Sequence, residues 1–269
     1  MRALHTRLDL EPLIDDPWGE RLVPASVREQ FRDESLLHSP AYANVILRTR
    51  YAEDALQAAI TRGIRQYVIL GAGFDSFAVR RPAYASEVQI FEIDHPATQT
   101  MKTRRLEECG ITLADCVHFI AADLAACSVA EALARSPYRK DLPAFFSWLG
   151  VTMYLTREAN FAALRSIAAC AMPGSELAFT YMDEKLFTLN PPAFRELKEK
   201  VASLGEPYQS GFDPATIAGD LRDCGLALVE DLEGEQVAAR YGRAGQNRAA
   251  SSQFSHVALA RSGREITTF

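Results

Sequence analysis

Tyr67-Val68-Ile69-Leu70-Gly71-Ala72-Gly73-Phe74-Asp75-Ser76 is an apolar run that breaks into a Gly-x-Gly turn and then opens a helical pattern. The run predicts a buried strand, and the glycines predict a sharp backbone turn that a ligand can approach where a Cβ would collide. A second apolar run ends in Glu92-Ile93-Asp94-His95-Pro96, with Glu92 lying 19 positions beyond Gly73. Because the carboxy ends of adjacent parallel strands line one crevice, an acidic group at this point is placed to accept both hydroxyls of an adenosine ribose. A third run ends in Ala121-Ala122-Asp123-Leu124, where Asp123 is placed to accept an adenine amino group and Leu124 to cover the base. Taken singly, the Gly-x-Gly could be only a tight turn, and Asp123 could be only a helix cap. In this order they predict one nucleoside site.

The rival ligand is a nicotinamide or flavin dinucleotide. Its fingerprint places Gly or Ala three residues after the second glycine, whereas this chain has Ser76 there and Asp75 just before it. An acid beside the turn is awkward for a pyrophosphate and acceptable beside a sulfonium or an amino group. The electrostatics favour a nucleoside that carries positive charge.

Outward from this stretch, β-rich runs at 66–70, 88–93, 117–121, 144–148, 176–181, 227–232 and 255–260 alternate with helical segments. Seven strands spaced in this way predict a doubly wound α/β domain with a mainly parallel sheet covered on both faces. Residues 11–37, with Pro12, Pro17, Trp18 and Pro24, read as an irregular lead-in carrying one short helix, and 40–64 reads as a long helix. Residues 183–212 interrupt the rhythm with Pro191-Pro192, an amphipathic helix and Gly-Glu-Pro. They form an insertion between the fifth and sixth strands, either a lid over a pocket or a surface excursion. The expected organisation is therefore a lead-in with helices over 1–64, a cofactor-binding core over 65–182, a lid-like insertion over 183–213, and completion of the sheet over 214–269.

The 269 residues, 48% of them hydrophobic and 24% charged, suit one large core. A net charge of -6 gives no field for polyphosphate, so no nucleic-acid partner is expected. Neither a signal-type start nor a run of 18 apolar residues is present, which predicts a cytoplasmic protein without a membrane partner. The five cysteines contain no C-x-x-C pair, and no His or Cys cluster has ligand spacing, so neither a disulfide framework nor a metal is expected. The oligomeric state is left open.

The Gly-Ala-Gly-Phe-Asp turn, Glu92-Ile93-Asp94-His95-Pro96 and Asp123-Leu124 combine with Pro12-Leu13-Ile14-Asp15-Asp16-Pro17-Trp18, Arg48-Thr49-Arg50 and Ser147-Trp148-Leu149-Gly150-Val151-Thr152-Met153-Tyr154-Leu155-Thr156. This joint pattern resembles the leucine carboxyl methyltransferase family, in particular its bacterial branch. The resemblance implies a class I, Rossmann-like methyltransferase fold whose last strand enters antiparallel, with S-adenosyl-L-methionine bound by Arg48, Gly71, Asp94, Asp123 and Leu124. Gly73 joins this set from the turn itself. Two departures weigh against a protein carboxy terminus as acceptor, and the expected acceptor is a small molecule. Leu149 stands where the eukaryotic enzymes have a glutamate, and their N-terminal lysine has no counterpart here.

Arg48 can be read without the family. Ala41, Val45, Arg48, Ala52, Ala55 and Ala59 recur at spacings of three and four and so share one helix face. A guanidinium in an apolar stripe needs a carboxylate partner, which the methionine end of the cofactor or Asp75 could supply; a snorkelling side chain is the alternative. Arg50 lies on another face, within reach of Glu53 and Asp54.

A sulfonium is already an activated methyl donor, so O-methylation of a carboxylate or hydroxyl mainly requires positioning. A hydroxyl acceptor would gain from a base, for which His38, His95, Tyr154 and Tyr181 are the candidates and none is singled out. Trp148 and Tyr154, just beyond the fourth strand, are read as pocket walls or as core aromatics, and Arg240-Tyr241 as groups that could close over a substrate. The alternatives to a methyltransferase are an NAD(P)- or FAD-dependent oxidoreductase and a non-catalytic nucleoside-binding protein.

Overall fold

The opening apolar run becomes β1 (Gln66–Leu70), and all five of its residues are buried. In the computed structural model, which describes residues 1–23, 40–203, 205–241 and 252–263, this strand feeds two cores. Val68 and Leu70 pack with Phe91, Phe146, Leu164 and Phe179 on one side. Tyr67 and Ile69 pack with Ala52, Leu56, Ala59, Phe145 and Ala178 on the other. Both faces are covered, which is why the run is continuously apolar instead of alternating.

Before β1 come α1 (Arg2–Leu8), α2 (Trp18–Leu22) and α3 (Pro40–Thr61). After it follow α4 (Phe77–Arg80), β2 (Gln89–Asp94), α5 (Pro96–Glu108), β3 (Val117–Ala121), α6 (Val129–Leu133) and β4 (Phe145–Trp148). The chain continues through α7 (Arg157–Cys170), β5 (Glu176–Met182), α8 (Lys185–Leu189), α9 (Pro192–Ser203), α10 (Ile217–Asp223), β6 (Leu226–Glu233), α11 (Gly234–Tyr241) and β7 (Ser255–Ser262). The seven strands form one sheet in the order β3-β2-β1-β4-β5-β7-β6. β1 to β5 run parallel, and β7 lies antiparallel between β5 and β6, the arrangement the resemblance implies. The register pairs Leu70 with Ile93 and Asp94 with Ala121, so the carboxy ends of β1, β2 and β3 lie side by side.

Beyond shifts of one or two residues at strand ends, two features differ from the sequence reading for identifiable reasons. α3 stops at Thr61, short of residue 64, because Gly63 takes φ +104° and the Ile64 N–H turns back to the Ala59 carbonyl at 3.1 Å, a glycine-terminated helix end. β6 and β7 are joined through α11, which the sequence reading omitted. A register shift at Leu228/Glu230 marks a β-bulge in β6. Pro24 and His38 lie outside the described residues. Among the described residues, no helix is long and apolar enough to cross a membrane.

Candidate active site

A cavity of about 430 Å³ opens where β1 runs out, between α3, the N-terminal segment and the loop after β4. Gly71 and Arg48 are in its wall, together with Asp16, Asp75 and Gly150. Gly71 has φ +63°, and a Cβ there would lie 2.5 Å from Val151 Cγ2, so both backbone conformation and packing demand glycine. Gly73 has φ +49° with open space on its Cβ side. Its N–H donates to Asp94 Oδ2, and the His95 N–H donates to Asp94 Oδ1 at 2.6 Å. Each oxygen of Asp94 keeps a second lone-pair site, as a ribose partner requires. Gly71, Gly73 and Asp94 therefore lie in one locality, although Gly73 and Asp94 are outside the cavity wall.

Arg48 projects from α3 into that cavity and lies half-buried. Among the described residues, its guanidinium makes no hydrogen bond or ion pair. Burial and the neighbouring charge of Arg2 pull its pKa down to about 10, with Tyr154, Tyr208 and Asp75 opposing. A cationic head that is short of partners and faces a cavity fits a ligand carboxylate. Asp75, the protein alternative, is committed elsewhere: it accepts from Arg2 Nη1 at 3.2 Å and from the Phe77 N–H at 2.7 Å. Arg50 meets Asp54 at 2.9 Å and donates to the Leu13 carbonyl at 2.9 Å. Glu53, its other expected partner, pairs with Arg80 instead.

The lead-in has a role that local sequence patterns do not reveal. Fully buried Asp16 accepts from Arg2 Nε at 2.9 Å, Ser76 Oγ at 2.6 Å and the Gly19 N–H at 2.9 Å. It ties the segment before α2 to the turn after β1 across 60 residues. Burial alone would raise the Asp75 carboxyl, but Arg2, Lys102, the Phe77 N–H and Arg80 together hold it below the usual carboxylate range.

Of the two acids on β2, only Asp94 is available at the strand end. Glu92 is fully buried against Lys102, and burial raises its pKa from the ordinary 4.5 to about 7 even with that partner. A carboxyl raised on folding holds its proton longer in the native state. Its contribution is therefore undiminished below pH 4.5 and is lost progressively as pH rises towards 7. Between those pH values Glu92→Gln is expected to flatten the stability curve by roughly 1 to 3 kcal/mol relative to the parent. Urea melts at several pH values check this, and parallel curves for the two proteins would refute it.

Asp123 is exposed and its Oδ1 accepts from the Ala125 N–H at 2.9 Å. It therefore holds a turn, while the helix that follows is capped by Ser128. The side chain stands one strand away from Asp94, and Leu124 packs half-buried against the core beside it.

A second, larger cavity of about 620 Å³ shares Val45, Arg48 and Gly150 with the first. Tyr154 is in its wall. Trp148 is not: it is 1% exposed and packs with Phe146, Leu164 and Phe179, because β4 is buried on both faces and its side chain takes the core side. The insertion supplies much of the remaining wall through Leu186, Pro191, Phe194, Leu197 and Tyr208. Tyr208 escaped the sequence reading. Its segment is fastened to the loop after β4 by the Gln209 N–H to the Met153 carbonyl at 2.7 Å and by Ser210 Oγ to the Leu155 carbonyl at 2.7 Å. Among the base candidates, Tyr181 donates its hydroxyl to Asp231 Oδ2 at 2.6 Å, and burial together with that bond pushes its pKa up. His95 is exposed and caps α5. Arg240 is held by Glu230 and lies over Tyr51, away from both cavities.

The sheet order, with β7 antiparallel between β5 and β6, and the cavity at the end of β1 define a doubly wound fold of the class I methyltransferase type. The leucine carboxyl methyltransferase family model matches residues 1–168, and the chain belongs to that family. Two relatives carry provisional names as S-adenosyl-L-methionine-dependent methyltransferases. YktD of Bacillus subtilis is 35% identical over 194 residues, which are 71% of this chain and 64% of YktD. Rv3399 of Mycobacterium tuberculosis is 32% identical over 226 residues, 79% of this chain and 63% of that protein. The chain thus spans just under two thirds of either relative. S-adenosyl-L-methionine is the cofactor that this membership assigns. Among solved structures, a protein of Thermobifida fusca described as a methyltransferase superposes with a TM-score of 0.61 at 17% identity, over 91% of this chain and 93% of that one. A DUF574 family protein of Streptomyces avermitilis gives 0.59 at 18%, over 82% and 83%. At such identities the likeness concerns the fold.

Proposed function

We propose that the chain is an O-methyltransferase that moves the methyl group of S-adenosyl-L-methionine to a carboxylate or hydroxyl of a small molecule. The observation that carries this reading is the meeting of two cavities at Val45, Arg48 and Gly150. One cavity holds Gly71 of the glycine turn and an arginine short of partners, and the other is mainly apolar and large enough for an acceptor. When bound, the cofactor supplies a methyl group already activated on a sulfonium. In this reading Arg48 takes the cofactor carboxylate, Asp94 the ribose hydroxyls and Asp123 the adenine amino group, while Leu124 covers the base. The loop after β4 and the insertion exclude water and hold the acceptor oxygen in line with the methyl group, which supplies most of the catalysis open to such a site. The dinucleotide alternative gains no support from Ser76, whose hydroxyl is buried against Asp16.

Mass spectrometry of small molecules released from the purified protein tests the reading. S-adenosylhomocysteine or S-adenosylmethionine supports it, whereas NAD or FAD overturns it. For Asp123, replacement by alanine is expected to weaken S-adenosylhomocysteine binding by about 1 to 3 kcal/mol through loss of the adenine partner. An analogue lacking the adenine amino group should bind the parent more weakly and the Asp123→Ala protein equally well. If Asp123 serves only the turn at Ala125, melting temperature falls while the parent's discrimination between the two ligands persists.

A further inference from the structure

The wall of the larger cavity is aromatic in a connected way. Phe194 and Tyr208 stack at 19° with centroids 6.2 Å apart, and Tyr208 meets Tyr154 at 5.3 Å and 51°. Phe187 braces Phe194 from behind at 5.3 Å, edge to face. Met153 and Met182, whose polarizable sulfurs favour ring edges, complete this lining. The volume of about 620 Å³ is roughly four times that of the ~150 Å³ apolar cavity known to take one benzene ring.

Polar groups concentrate at the end shared with the first cavity. Arg48 lies there facing Tyr154 and Tyr208, whose hydroxyls burial holds protonated. The Thr180 hydroxyl is at the same end, accepting from the Gly150 N–H at 2.7 Å, while elsewhere in the wall Asn44 donates to Ser255 Oγ at 2.8 Å and His256 Nδ1 meets Asp231 Oδ1 at 3.2 Å. A peptide would leave several amides facing apolar surface, at about 1 to 3 kcal/mol for each one unsatisfied. A flat ring system would leave none.

Resting on the reading of Arg48 as the cofactor's carboxylate partner, we infer that the acceptor is a planar aromatic compound of two to four fused rings bearing a neutral ring hydroxyl. The hydroxyl lies at the Tyr154–Tyr208 end. With Arg48 neutralised by the cofactor, the remaining partners for the reacting oxygen are the neutral hydroxyls of Tyr154, Tyr208 and Thr180, which suit a hydroxyl better than a carboxylate.

Calorimetric titrations of the S-adenosylhomocysteine-saturated protein with 2-naphthol, 2-naphthoate, decan-1-ol and a short leucine-ending peptide test this. S-adenosylhomocysteine binding is measured first, and its failure would sink the underlying cofactor reading. Given that binding, 2-naphthol is expected to bind about tenfold more tightly than decan-1-ol and more tightly than 2-naphthoate. Tyr208→Leu should erase the preference for the ring, while Tyr208→Phe should keep it and lose only the discrimination between 2-naphthol and naphthalene; circular dichroism melts confirm that both variants fold. Equal or tighter binding of decan-1-ol, 2-naphthoate or the peptide would overturn the inference. So would no binding of 2-naphthol, or a ring preference that survives Tyr208→Leu.

Discussion

Arg48→Ala is expected to weaken S-adenosylhomocysteine binding by about 2 to 5 kcal/mol, the range for removing one member of a desolvated, hydrogen-bonded charge pair. At 1.4 kcal/mol per decade this is a loss of at least about thirtyfold. Arg50→Ala, two positions away on the same helix, should leave the affinity within about twofold of the parent. The contrast rests on surroundings. Arg50 already has a carboxylate and a carbonyl at 2.9 Å, so its charge is paired within the protein, and it is in the wall of neither cavity. Arg48 has no partner among the described residues and sits in a wall common to both cavities. Because Arg50 ties α3 to the Leu13 carbonyl, its removal should appear in stability, by about 1 kcal/mol, and not in binding. Calorimetry on the two variants decides the matter. Equal affinities would make Arg48 a residue of the fold.

Much of this arrangement was legible because the signals were local. The run at 66–70 and that at 117–121 coincide with β1 and β3 residue for residue, since each is rich in β-branched and aromatic residues and a glycine turn ends the first. The stripe on α3 was legible for the same reason: Ala52 and Ala59 bury against β1, and the same face carries Arg48 to the strand end. Trp148 shows where periodicity stops helping. In a strand covered on both faces, alternation does not say which side belongs to the core and which to a pocket. Tyr208 and Asp16 were illegible for another reason. Their placement depends on contacts across tens of residues, Gln209 to Met153 and Ser76 to Asp16, that no local pattern encodes. Gly150 lay in a quoted motif without an assigned role, because its neighbour in space is a side chain more than 100 residues earlier.

Gly150→Ala is therefore expected to damage the site through Arg48. A Cβ on Gly150 would lie 2.5 Å from Nη2, 2.7 Å from Nη1 and 2.8 Å from Cζ of Arg48, so the guanidinium rests directly on this glycine. The side chain is flexible enough to swing aside, and relieving the overlap costs little in itself. The displacement nevertheless carries the cationic head off the cavity wall, and cofactor affinity should fall about tenfold to a hundredfold. The backbone adds a separate penalty, because φ is +72° and an L-residue in that region costs about 1 to 2 kcal/mol. Gly174→Ala separates these effects. That glycine has φ +90° with nothing near a Cβ, and it precedes β5 at the opposite end of the sheet. It should lose similar stability while binding S-adenosylhomocysteine like the parent. The double variant Arg48→Ala/Gly150→Ala should bind no more weakly than Arg48→Ala alone, since the methyl group then has no guanidinium to displace. Additive losses in the double variant would mean that Gly150 meets the cofactor itself and does not act through Arg48.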